Sequence, residues 1–191
     1  MPNTSELPSS LAAIVATELE SDEKIVWLGQ PIPRLYARRG LPAFLFGIPW
    51  TAFTLNFTYQ TTRGNLDWDH LVPFVVIEIP FLLIGCVMLL SPLWMMRMAK
   101  RTAYAVTNQR ALIFNAGWFS GHTIRSFRPD QMQERRRVQR ANGCGDLILD
   151  RQWSKDSDGG SKSTDYGFLA IRDPKMVEGL IQELTNAHSA A

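Results

Sequence analysis

Residues 71–96 read LVPFVVIEIPFLLIGCVMLLSPLWMM, with a single formal charge at Glu78, and the run ends abruptly at Arg97. As a helix, the charge-free part 79–96 would cover roughly 27 Å, close to the thickness of a bilayer's hydrocarbon. Core helices of soluble proteins rarely carry an apolar run of this length. The stretch is therefore expected to span a membrane.

On the N-terminal side, residues 40–62 (GLPAFLFGIPWTAFTLNFTYQTT) also lack formal charge, although Pro42, Gly47, Pro49, Asn56 and several threonines interrupt them. Membrane helices tolerate Gly and Pro because neighbouring groups can satisfy the freed backbone. The loop between the two stretches holds one Arg and two Asp. The outer flanks hold Arg34, Arg38 and Arg39 on one side and Arg97, Lys100 and Arg101 on the other. That asymmetry predicts a hairpin with both termini cytoplasmic. Trp50, Tyr59, Trp68 and Trp94 are candidates for interfacial anchoring, with Trp50 placed rather deep. The plainer alternative is a buried helical hairpin of a soluble protein.

Whole-chain averages conceal this division. Mean hydropathy is −0.09 and charged residues make up 20%, values that suit a soluble protein. Yet residues 40–96 contain only Arg63, Asp67, Asp69 and Glu78 of the 38 charged residues. The N-terminus has no positive n-region and turns acidic at Glu18, Glu20, Asp22 and Glu23, so the uncleaved apolar stretches are expected to do the targeting. Cys86 and Cys144 fall on opposite sides of the expected boundary, which argues against a disulfide, and no metal-ligand spacing is present.

Upstream of the hairpin, Leu11, Ile14, Val15 and Leu19 fall at helical spacing, and 25–28 form a short extended apolar piece stopped by Gly29, Pro31 and Pro33. Beyond Lys100 the pattern alternates. Strands are expected at 102–106, 110–114, 122–127, 132–140, 147–151 and 166–171, with a polar, mobile tip at 154–164. Asp173-Pro174 is an N-cap followed by proline at the first helical position. Met176, Val177, Leu180, Ile181 and Leu184 then mark one apolar helix face. The expected organisation is a cytoplasmic N-terminal segment (1–39), a two-helix transmembrane hairpin (40–97, spans about 41–61 and 73–96), an antiparallel domain (98–187) and a tail (188–191).

Four segments carry a family resemblance: DEKIVWLGQP (22–31), TAYAVTNQRALIF (102–114), NGCGDLIL (142–149) and IRDPKMVEGLI (171–181). In this order they resemble the membrane-anchored bacterial pleckstrin-homology (PH) domain proteins, over about residues 22–184. The most specific words are Tyr104-x-Val106-Thr107-Asn108-Gln109-Arg110 and Gly143-x-Gly145-Asp146. The resemblance implies an α+β fold: a bent PH-like antiparallel β-barrel of about seven strands, capped by a C-terminal α-helix. Six strands are assigned above. The seventh is expected around 117–120 or within 152–165. A fold of this kind does not by itself supply a ligand.

Arg135, Arg136, Arg137 and Arg140 form the most conspicuous charge cluster, in a segment from Arg97 onward that holds 15 Lys/Arg against 10 Asp/Glu, a net +5. Strand alternation sends 135 and 137 one way and 136 and 140 the other. The cluster is a candidate lipid or partner surface, worth about 1 kcal/mol per basic residue beside anionic lipid, or else a solvated strand face. No aromatic platform accompanies it, so nucleic acid is not an expected partner. Glu78 is the candidate intramembrane polar site, because acids inside spans commonly carry function. The alternative is a carboxyl that reaches toward the interface. Asn108, Gln109 and Arg110 are expected to organise a turn, with Arg110 paired to a carboxylate. Trp118 and Trp153 lie near expected loop tips. His70, His122 and His188 are scattered, and no nucleophile elbow, phosphate loop or zinc-protease signature occurs.

The expected function is that of a non-enzymatic, membrane-tethered adaptor without cofactor or metal. Its expected partners are the lipid bilayer and a protein or a second copy of itself. The alternative is a small oligomeric transporter or channel subunit that uses the hairpin and Glu78.

Overall fold

The computed structural model describes residues 8–63, 68–116, 121–132, 135–155 and 161–189. The chain divides into two units. One comprises the chain up to Tyr36 together with Met98 onward, and the other is Ala37–Arg97.

The first unit is mixed α+β. Four antiparallel strands lie in the order β1 (Ile25–Gly29), β2 (Ala103–Thr107), β3 (Ala111–Ala116), β4 (His122–Phe127). A second sheet holds β5 (Arg136–Gln139), β6 (Cys144–Lys155) and β7 (Ser161–Arg172). The strand missing from the sequence reading is β1, the short apolar piece upstream of the hairpin. It pairs antiparallel with β2, placing Trp27 opposite Val106 and Gly29 opposite Tyr104. Of the two locations expected for that strand, 117–120 lies outside the described residues. The other is occupied by extensions of β6 and β7, which pair from Cys144↔Arg172 to Lys155↔Ser161. Much of the expected polar tip is therefore strand, and residues 156–160 lie outside the described residues.

β2 is buried on both faces, as its uninterrupted burial shows. Tyr104 and Val106 point into the main core with Ile113, Phe127, Met132, Leu147, Leu149 and Phe168. Ala103 and Ala105 point the other way, where Leu11 and Val15 of helix α1 (Ser9–Thr17) cover them together with Leu112 and Phe114. The main core is completed by helix α6 (Pro174–Ser189), which buries Val177, Ile181 and Leu184. Met176, on the expected apolar face, stays 47% exposed.

The expected closed barrel does not form. Among the described residues the strands make two sheets, with no ladder joining β4 to β5 or β7 to β1. After β4 the chain turns through a 3₁₀ segment, Pro129–Met132, that buries Pro129 and Met132. Proline cannot donate to a ladder, so pairing stops there.

The first unit's N-terminal part ends in a short α2 (Pro33–Tyr36), and the second unit consists of a 3₁₀ turn (Ala37–Gly40), α3 (Leu41–Thr62), α4 (Trp68–Leu89) and α5 (Ser91–Lys100), whose last residues belong to the first unit. The expected two-helix transmembrane hairpin is not supported. Among the described residues no single helix is long and apolar enough to cross a membrane. Val76–Leu89 and Ser91–Lys100 meet that criterion only as a pair, bent by 52°. Two local features account for this. Five threonines, Asn56 and Gln60 dilute the hydropathy of α3. The long apolar run breaks at Leu90, where Ser91-Pro92 starts a new helix with proline in its first turn, the position a helix tolerates best.

Candidate functional site

α3 and α4 are joined along a seam of small and polar side chains at coiled-coil-like spacing: Gly47, Thr51, Thr54 and Thr58 on α3. A β-carbon on Gly47 would lie 2.8 Å from Met88 Cβ, and one on Gly85 would lie 2.5 Å from Thr51 Oγ1. Glycine at these positions lets the backbones approach closely. Farther along, the Trp50 ring stacks on Phe81 at 5.8 Å between centroids, and its Nε1 donates to the Phe81 carbonyl at 3.1 Å. Ser91 Oγ donates to the Gly40 carbonyl at 2.9 Å.

Glu78 lies in this seam. It is 6% exposed and meets Thr58 Oγ1 at 2.5 Å. The hydroxyls of Thr54, Thr58, Thr61 and Thr62 each return to the carbonyl four residues earlier. The seam is thus polar inside, and the outside of the hairpin is largely apolar, with Asn56 and Gln60 exposed on α3. Of the twenty large hydrophobic side chains exposed among the described residues, eighteen belong to the Ala37–Arg97 unit, and only Val26 and Met176 belong to the other. Phe53 is 70% exposed, Val76 and Val87 65%, and Leu93 62%. At the base of the same unit Arg38, Arg39 and Arg97 are exposed.

The arginine cluster is spread over several contacts. Arg135 donates to Thr185 Oγ1 at 3.0 Å and also reaches Gln182, while Arg137 pairs with Glu178; all three partners are on α6. Arg140 donates to Asp146 Oδ2 at 3.0 Å. Arg136 is exposed on the strand. Three of the four therefore fasten β5 to α6 and the β5–β6 turn to Asp146.

The two motif words both hold the chain together locally. In the first, Arg110 forms a two-pronged pair with Glu23, Nε and Nη2 each lying 2.8 Å from a carboxylate oxygen. Thr107 Oγ1 donates to the same carboxylate at 2.7 Å, and the Glu20 amide does so at 3.1 Å. The Glu23 side chain is fully buried. The Arg110 guanidinium holds its carboxyl at about 2, below the ordinary 4.5. Asn108 accepts the Lys24 amide on Oδ1 at 2.7 Å and donates its own amide to the Lys24 carbonyl at 3.0 Å. The carboxylate expected for Arg110 is thus Glu23 in the upstream DEK segment, which the sequence reading did not identify.

In the second word, Gly145 and Asp146 organise a bulge. Gly145 pairs with Ile171 and Leu147 with Phe168, so Leu169 and Ala170 together face Asp146. Ala170 takes φ 55°, in the left-handed region. Its amide donates to Asp146 Oδ1 at 2.7 Å, and its carbonyl accepts the Ile32 amide at 2.8 Å. The bulge thereby holds the segment that leads into α2.

Beside it is a groove of about 370 Å³ in the first unit, lined by Trp27, Ile32, Lys100, Ile171, Arg172 and Met176 among others. Lys100 and Arg172 are exposed, and Trp27 is half-buried against Phe168 at 5.5 Å. Among the described residues no group of three or more His, Cys, Asp or Glu could hold a metal ion. His122 lies in β4 and His188 near the end of α6. Trp118 lies outside the described residues. No family model, curated protein or solved structure matches this chain.

Proposed function

We propose that this protein is a non-enzymatic adaptor held at a lipid bilayer by the apolar surface of its helical unit. The observation that carries the reading is the concentration of eighteen exposed large hydrophobic side chains on that unit. Exposed apolar patches of such extent mark an interaction surface. Counted at about 100° per residue from Gly47, the exposed Ile48, Leu55, Leu45, Phe53 and Phe57 cover α3 from roughly 80° to 280°, all the directions the seam leaves open. Apolar side chains facing this many directions suit a lipid phase better than a single protein partner, which would cover one side.

Arg38, Arg39 and Arg97 at its base suit anionic headgroups, each contributing about 1 kcal/mol near such a surface. Together with the charge asymmetry of the sequence, these arginines support a reading in which the base meets the cytoplasmic leaflet. The two-sheet unit then works as the docking part. Its groove sets Lys100, Arg172 and Asp173 around the apolar Trp27 and Ile171, a combination that suits a charged, partly apolar segment of a partner protein. Tethering would act by raising the local concentration of the docking unit for partners at the same membrane.

Fractionation of cells expressing the full chain tests the reading. The protein is expected to stay in the membrane pellet through washes with carbonate and with high salt. Release by either wash would contradict it.

A further inference from the structure

The hairpin satisfies most of its polar side chains internally, through the threonine back-bonds, the Trp50–Phe81 bond and the Thr58–Glu78 bond. Asn56 and Gln60 stand apart. Both are exposed, and neither side chain makes a hydrogen bond among the described residues; the Thr51 hydroxyl also lacks a partner but is buried in the seam. Nine residues separate Asn56 from Gly47, so at about 100° per residue it lies roughly 180° around α3 from that point of the seam. It sits on the face opposite α4. The same face carries Leu45, Pro49, Ala52, Asn56 and Gln60, a spacing of four, three, four and four that follows a two-helix seam. Its neighbours Phe53 and Phe57 are 70% and 51% exposed.

We propose that this face of α3 pairs with the same face of a second copy of the chain, through reciprocal Asn56–Asn56 hydrogen bonds. The inference rests on the lipid-held reading above. In hydrocarbon an uncovered carboxamide loses its hydrogen bonds to water and has to find a partner. A carboxamide carries both a donor and an acceptor, so it is complementary to itself across a two-fold axis. Two copies held by lipid in the same orientation bring their α3 helices together in parallel, and each residue then meets its own equivalent. Ala52, one turn before Asn56, lets the backbones approach. Gln60, one turn after, repeats the pairing nearer the helix end. A single polar residue in an apolar seam also fixes register. A second copy fits this face better than an unrelated protein because the polar group demanding a partner is self-complementary.

The test uses the full chain reconstituted in phospholipid vesicles, with donor-labelled and acceptor-labelled copies mixed and energy transfer measured against dilution in lipid. The wild type is expected to associate. Asn56→Leu is expected to weaken association roughly threefold to twentyfold, the range of interhelical hydrogen bonds in membranes, and Asn56→Gln is expected to restore most of it. Equal association of Asn56→Leu and wild type would overturn the pairing. Flotation of the same vesicles separates the two readings. Protein that fails to float overturns the lipid-held reading and this one with it. Floating protein with association indifferent to Asn56 overturns the pairing alone.

Discussion

Glu23 and Arg110 lie 87 positions apart in the chain, yet two hydrogen bonds join their side chains. The pair ties the upstream segment, which enters the first sheet as β1, to the β2–β3 turn. The folded carboxyl titrates at about 2 and the unfolded one near 4.5, so as pH falls the unfolded chain takes up the proton first. The pair's contribution, about 3 kcal/mol, is complete above roughly pH 5 and lost as pH falls from 4.5 through about 2. Glu23→Gln is expected to lower stability at neutral pH by a similar amount and to flatten the acid limb. Denaturation of the full chain followed by tryptophan fluorescence between pH 7 and 3 checks this, and an unchanged acid limb would contradict it. The sequence alone shows Arg110 as a turn residue in want of a carboxylate. It does not show which one, because acids are plentiful upstream and burial singles out Glu23 only after β1 pairs with β2.

At the scale of elements, glycine shows where strands approach closely. A β-carbon on Gly145 would lie 2.1 Å from the Val138 carbonyl oxygen and 3.1 Å from Pro174 Cγ, whereas one on Gly179, within α6, meets nothing within 4 Å. Gly145→Ala is therefore expected to destabilise the chain by about 1–3 kcal/mol through backbone displacement. Gly179→Ala is expected to stabilise it by about 0.5–1 kcal/mol through helix propensity. Opposite shifts in denaturation midpoint are the expected result, and shifts of the same sign would contradict the packing described. The elements most legible in the sequence were those with local signals. α6 begins at the Asp173-Pro174 cap, and β2 and β3 flank the Thr107-Asn108-Gln109 turn. Three features escaped. β1 is only five residues long and is separated along the chain from its partner strand by the whole hairpin segment. The break at Leu90 is hidden within an apolar run, since hydropathy does not register a change of helix direction at Ser91-Pro92. The open arrangement of two sheets depends on long-range pairing, to which strand periodicity is blind.

At the scale of the whole molecule, the chain combines a unit that buries its large hydrophobic side chains with one that presents them. The contrast was visible in the sequence as a split in charge density. Its form was not: a glycine-threonine seam, a bent α4–α5 pair and a buried Glu78 need the helices side by side. The molecule also carries its own probes, with exposed Cys86 among the apolar side chains of α4 and half-buried Cys144 at the start of β6. The central claim is that lipid covers the hairpin. The most direct measurement is labelling of single-cysteine variants, Cys144→Ser and Cys86→Ser, in intact membrane preparations with a charged, water-soluble maleimide, before and after denaturation. Cys144 is expected to react in the native membrane, and Cys86 only once the protein is denatured. Native labelling of Cys86 as fast as Cys144 would show the hairpin surface facing water and would contradict the account.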